Sequence, residues 1–187
     1  MKITACLIAL CLSSSIFAAQ ENTLSSIVLP DSIQKQLPAN LTIIEKAIGD
    51  LNNDDKKDYL VVLEDRKNED VSRKLMVFTS NANDQYDLTG QSDKIILCKN
   101  CGGVFGDPHE GILIKNKKIV VMNYGGSNYR WSNNYTFSWS RIDSKWQLIL
   151  WENSSYHTSN PNKIKLIKKL PKNFGKVNLE DFNPDKF

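Results

Sequence analysis

From Leu41 onward, short apolar runs alternate with polar, turn-forming clusters, the pattern of successive strands. Leu41 to Ile48 is a β-branched run, and Asp58 to Glu64 is almost continuously apolar, as in a strand covered on both faces. Lys74 to Thr79 and Lys94 to Cys98 predict two more strands, with the turn-forming stretch Ser80 to Gln85 between them. Gly111 to Lys115 and Ile119 to Tyr124 read as a hairpin around Asn116-Lys117-Lys118. Tyr135 to Ile142 alternates aromatic or apolar with small polar residues, the period of a half-buried strand, and Trp146 to Glu152 returns after the turn Asp143-Ser144-Lys145. Upstream, Asp31 to Leu37 predicts one or two helical turns with Asp31 as N-cap and Pro38 as the stop. The basic stretch Lys163 to Lys172, with Ile164, Leu166, Ile167 and Leu170 interspersed, fits a last strand or a helix.

Eight or so strands with short turns predict an all-β fold, or a β-rich one with short helices. The expected architecture is antiparallel sheets, blade-like or stacked as a sandwich. Across 187 residues no Pro/Gly/Ser linker divides the chain, so one β-rich domain is expected over 20–187. Composition narrows the classes further. At 41% hydrophobic and 24% charged, the chain is neither disordered nor a multi-span membrane protein. Its formal charge of +3 is too small for a nucleic-acid footprint, and two histidines leave little room for a His-based centre.

Residues 1–19 have the order of a secretory signal peptide: Lys2, an apolar run from Ile3 to Leu12, then small residues ending at Ala18-Ala19. The run is too short for a bilayer core about 30 Å thick. No later segment is long and apolar enough to act as an integral membrane segment. A periplasmic or secreted location is therefore expected. Cleavage would leave Cys98 and Cys101 as the two cysteines, which predicts a disulfide in an oxidising compartment.

The sharpest local feature is Gly49-Asp50-Leu51-Asn52-Asn53-Asp54-Asp55-Lys56-Lys57-Asp58. Oxygen-bearing side chains alternate along it. Asp50, Asn52, Asp54 and Asp58 by side chain, with the Lys56 carbonyl, form a candidate calcium set, since calcium takes about six to eight oxygens. An EF-hand would need an acidic residue where Val61 stands. The spacing resembles the calcium loops of FG-GAP and VCBS-like repeats, with Asp55 in place of their usual glycine. Those repeats build propellers. A single copy here implies a blade-like sheet and excludes a complete propeller.

Cys98-Lys-Asn-Cys101 follows a predicted strand and precedes two glycines, which favours a structural disulfide over a helix-borne redox pair. Beyond it come Gly106-Asp107-Pro108-His109-Glu110-Gly111 and Tyr124-Gly125-Gly126-Ser127-Asn128-Tyr129-Arg130-Trp131. Together with the acidic loop, these elements resemble a family of uncharacterised exported bacterial β-domains, in which His109 takes the place of a phenylalanine. That resemblance carries no activity with it. Asp107, His109, Glu110, Tyr124, Arg130 and Trp131 form a candidate surface site at one end of the sheet. The expected arrangement has Arg130 pairing with Asp107 or Glu110 while Trp131 packs over glycines. His157 reads as a solvated loop residue.

The leading functional expectation is a non-enzymatic exported module, stabilised by calcium and pinned by a disulfide, that binds an unknown protein or glycan partner. The alternative is a periplasmic hydrolase using Asp107, Glu110 and His109. A hydrolase should keep its carboxylates around an open pocket with raised pKa values. A binding module should show an aromatic patch at its loop tips.

Overall fold

The computed structural model describes residues 28–187, so the expected signal peptide at 1–19 and the start of the domain lie outside the described residues. Among the described residues, nine strands form two antiparallel sheets, and within each sheet every strand pairs with its sequence neighbour. The first sheet is β1 (Thr42–Gly49), β2 (Asp58–Glu64), β3 (Arg73–Ser80) and β4 (Tyr86–Ile96). The second is β5 (His109–Lys115), β6 (Lys118–Gly126), β7 (Tyr129–Ser140), β8 (Lys145–His157) and β9 (Lys165–Lys169). The expected all-β architecture of antiparallel sheets is thus present, as a sandwich of two open sheets. Among the described residues no helix is long and apolar enough to cross a membrane.

The continuous apolar character of β2 and β3 has a simple cause: both faces of the first sheet are covered. Leu60, Val62, Leu75 and Val77 face the second sheet and meet Ile119, Val121, Phe137 and Trp146. Tyr59, Val61, Leu63, Met76 and Phe78 point the other way, into a cluster capped by Leu29 and Ile33. Ile33 belongs to the single helical turn α1 (Asp31–Gln34). Asp31 is the first helical residue and not the N-cap expected, because Pro30 already supplies the extended entry. Each large side chain buried in these layers contributes about 1.5–3 kcal/mol.

The second sheet keeps the alternation its sequence predicts. In β6, Ile119, Val121 and Asn123 are buried while their neighbours are half-buried. The β5–β6 turn is two residues, Asn116 (φ 51°) and Lys117 (φ 60°), tighter than the three-residue loop expected. In β8, Ile149 has no partner between Leu148 and Leu150, a bulge that resets the alternation. Trp151, rather than Leu150, is therefore buried alongside Trp146 and Leu148.

Several boundaries differ from expectation. β4 starts at Tyr86, well before Lys94, because its first half alternates exposed residues such as Asp87 and Gln91 with less exposed Thr89 and Gly90. Gly90 is required there, since a Cβ would stand 2.7 Å from the Trp146 ring. His157 is the half-buried last residue of β8, its ring edge-on to Tyr129 at 4.7 Å, and not a solvated loop residue. Lys163 to Lys172 resolves into β9 followed by the start of a helical turn, α2 (Pro171–Phe174). The segment beyond, for which no element was expected, closes the core. Leu179 and Phe182 are fully buried, and Phe182 stacks on Phe187 at 5.4 Å and meets Tyr135 edge-on at 4.8 Å.

Candidate functional site

The acidic loop joins β1 to β2 as a ladder of side-chain-to-backbone turns. The Asn53 N–H donates to Asp50 Oδ1 (2.6 Å), the Asp54 N–H to Asn52 Oδ1 (3.1 Å) and the Lys56 N–H to Asp54 Oδ1 (2.9 Å). Asp55 adopts φ 60°, the left-handed conformation that a glycine would otherwise supply. The Ser80 hydroxyl donates to Asp54 Oδ2 (2.7 Å) and holds that carboxyl below its ordinary value. Asp58 is fully buried. Its two oxygens accept the N–H groups of Leu51 (2.6 Å) and Ser80 (2.8 Å). Burial raises the Asp58 carboxyl above its ordinary value despite those two donors. Asp58 thus clamps the loop against β3, a role its spacing alone did not reveal. Among the described residues, no three His, Cys, Asp or Glu side chains are grouped closely enough to hold a metal ion. Asp50, Asn52 and Asp54 do remain at the surface; Asp54 Oδ2 accepts both the Ser80 hydroxyl and Asn52 Nδ2, while Asp50 Oδ1, Asn52 Oδ1 and Asp54 Oδ1 each accept one backbone N–H, and the backbone is preset into a compact turn.

The glycine-rich loop between β4 and β5 is anchored at both ends. Cys98 and Cys101 are joined, with Cα atoms 5.1 Å apart. The Gly102 N–H donates to the Gly106 carbonyl (2.7 Å), and the Gly126 N–H donates to the Gly102 carbonyl (2.8 Å). This brings the loop against the end of β6. The approach needs glycine: a Cβ on Gly125 would stand 2.7 Å from the Trp131 ring and 2.9 Å from the Gly102 carbonyl oxygen. Trp131 therefore packs over a glycine as expected. A ring this small restrains little unfolded-chain entropy, about 2 kcal/mol. Reduction should accordingly loosen residues 98–107 in hydrogen exchange while shifting the melting temperature by only a few degrees. Collapse of the whole fold on reduction would contradict this.

The six candidate surface residues divide into two groups. Arg130 does not pair with Asp107 or Glu110. Its Nη1 donates to the Gly126 carbonyl (2.9 Å), and its guanidinium lies over the Phe105 ring, 4.0 Å from the centroid. Phe105 also meets Tyr124 at 5.3 Å, and the Tyr124 hydroxyl contacts that of Tyr156 at 3.2 Å. Arg130 thus ties the two glycine-rich loops together through an aromatic ring and a carbonyl. Around this group Val104 (71%), Phe105 (49%) and Tyr129 (70%) are exposed.

Asp107 and His109 belong to the second group, with residues the sequence did not single out. Asp107 takes a two-pronged contact from Arg73, Nη1 to Oδ1 and Nη2 to Oδ2, both 2.7 Å. Arg73 Nε donates to Glu64 Oε2 (2.7 Å). His109 Nε2 lies 2.5 Å from Glu45 Oε2, while its backbone N–H donates to Asp107 Oδ1 (3.0 Å). Arg73 is buried, at 3% exposed, while Asp107 is 44% exposed, so the fork joins the buried end of the first sheet to the half-exposed glycine-rich loop. Burial pushes the Asp107 carboxyl up, but the Arg73 guanidinium and the His109 N–H outweigh it and leave it below its ordinary value. Glu110 lines the same cleft, of about 400 Å³, together with Glu45, Glu64 and Lys99. Arg73 was missed because it opens a strand far from Asp107 in sequence, and no local motif links them.

Comparison with known proteins finds no matching family model, curated protein or solved structure.

Proposed function

We propose that the chain is an exported binding module, stabilised by calcium and pinned by its disulfide, that engages a protein or glycan partner through the tips of its two glycine-rich loops. The observation that carries this reading is the exposed patch of Val104, Phe105 and Tyr129 on two loops that the Gly102–Gly126 contact and Arg130 tie together, the first of them also closed on itself by the disulfide. Large exposed apolar side chains on a rigid support are the ordinary composition of an interface centre. The hydrolase reading has less support. Asp107 already receives the Arg73 fork and is held below its ordinary value, which makes it a poor proton acceptor near neutral pH.

The test is capture of partners from a periplasmic extract, with and without calcium, by the wild type and by a Val104→Ser, Phe105→Ser, Tyr129→Ser variant. The variant gives up the surface contact of Arg130 with the Phe105 ring, about 1 kcal/mol, while the Arg130 bond to the Gly126 carbonyl stays, so it should melt only a few degrees below the wild type while losing what the wild type captures. Equal capture by both would reject this surface. The calcium component has its own readout. Exported calcium sites bind with Kd of about 10⁻⁴–10⁻³ M, and calcium at 100-fold excess over Kd should stabilise by about 2.7 kcal/mol. Asp50→Asn keeps an oxygen for the Asn53 N–H but removes the charge, so it should abolish the calcium shift with little effect in EDTA. Asp54→Ala is less clean, because it also breaks the Ser80 contact. Melting curves indifferent to calcium would remove the ion from the proposal.

A further inference from the structure

Trp139 stands near the far end of β7 from Tyr129, about 30 Å along the strand. It packs edge-on against buried Trp146 at 5.2 Å, yet remains half-buried. Three adjoining clefts share it. One, of about 470 Å³, is lined by Asn53, Lys117, Ser138, Trp139 and Arg141. A narrower pocket of about 180 Å³ runs between Thr79, Thr89 and the two tryptophans. The third, of about 490 Å³, continues past Trp139 to Gln91 and to Lys145, which is paired with Glu180. Lys117 and Arg141 are both exposed, and neither makes an ion pair or side-chain hydrogen bond among the described residues. None of the carboxylates of the neighbouring acidic loop forms an ion pair with either cation: Asp50 accepts the Asn53 N–H, Asp54 bonds Ser80 and Asn52, Asp58 lies in the interior, and Asp55 is exposed.

We propose that this region is a binding site for an acidic oligosaccharide, one whose sugar rings carry carboxylates. A flat indole flanked by polar side chains suits the C–H face of a pyranose ring, which is apolar above and hydroxylated at its rim. Lys117 and Arg141 line one cleft and supply cations for uronate carboxylates, the guanidinium with two parallel donors. Asn53 and Ser138 offer donors and acceptors to the hydroxyls. Adjoining clefts on either side of one aromatic platform fit an extended oligomer better than a single enclosed molecule.

The experiment titrates tri-galacturonate into the protein and follows tryptophan fluorescence, with the fully methyl-esterified trimer and inorganic phosphate at matched ionic strength as controls. The expected result is a saturable change with the acid, at least about tenfold weaker for the ester and for phosphate. A Lys117→Ala, Arg141→Ala variant, altered only at exposed side chains, should weaken binding by about tenfold or more. Trp139→Phe should lose the spectral response and weaken binding in calorimetry. The Val104→Ser, Phe105→Ser, Tyr129→Ser variant should bind the trimer as the wild type does, which keeps this site separate from the loop-tip surface. No saturable binding, equal binding of acid and ester, phosphate binding as tightly as the trimer, or an unaffected Lys117/Arg141 variant would each overturn the proposal.

Discussion

Arg73→Ala should lower the unfolding free energy by about 3 kcal/mol and the melting temperature by on the order of 10 °C. The substitution removes a 3% exposed guanidinium that serves two carboxylates at once. Removing one partner of a buried ion pair costs about 3–5 kcal/mol, because the charge left behind has lost both its counter-ion and its water. The Glu64 side chain, 12% exposed, pays that penalty nearly in full, whereas Asp107, at 44%, is partly rehydrated, so the low end applies. Arg73→Lys keeps a charge but not the fork and should fall between. Arg73→Met combined with Glu64→Gln and Asp107→Asn should recover much of the loss, since no uncompensated charge remains. Acid should reveal the same contact. A carboxyl held below its unfolded value contributes stability that is complete above the ordinary value of 3.8 and disappears as pH falls through the lower folded value. Asp107→Asn should therefore flatten the acid limb of a urea-midpoint series below about pH 4. An Arg73→Ala protein melting within a degree of the wild type would show that the fork does not hold the fold.

Asp58→Ala should be comparably damaging for a different reason. It leaves the buried N–H groups of Leu51 and Ser80 without acceptors, at about 1–3 kcal/mol each. Part of that is offset, because burial has raised the Asp58 carboxyl and its ionised form is itself costly. The sign of its pH effect is opposite to that of Asp107. A raised folded value means that Asp58 stabilises most when protonated, and that contribution falls as pH rises from 3.8 through the folded value. Asp58→Asn retains one acceptor oxygen and should cost less than Asp58→Ala. Hydrogen exchange gives the direct check, since the Leu51 and Ser80 amides should be slow in the wild type and among the fastest of their strands' amides in Asp58→Ala. Unchanged protection would mean that the clamp is dispensable.

The strands most legible from sequence are those whose burial is simplest. β2 is apolar at nearly every position because layers cover both its faces, and its bounds match the apolar run. The first half of β4 escaped notice because exposed Asp87 and Gln91 dilute the pattern. Leu179, Phe182 and Phe187 escaped because they are too sparse to show any period, although they complete the core. The candidate site divides the same way. The cysteine pair and the packing of Trp131 over Gly125 follow from neighbours in sequence. The partner of Asp107 does not. Arg130 was the nearer arginine in the motif, but Arg73, 34 residues upstream, opens β3 beside the loop. Likewise Glu45, 64 residues before His109, reaches it only once the sheets stack.

Each sheet is built from one uninterrupted stretch of chain, β1 to β4 and then β5 to β9, with neighbours paired in order. No strand has to wait for a distant partner before zipping onto its sheet, so loop-closure costs stay small at each hairpin. The slow event is then the docking of two preassembled meanders, and the disulfide-bearing connection from Leu97 to Pro108 is the tether that sets their effective concentration. A backbone nick within that tether need not destroy the protein. Two polypeptides divided there would each carry a whole sheet and could find one another as complementing fragments, with the exchange rate reporting how strongly the Arg73 fork and the shared aromatic core hold the halves together.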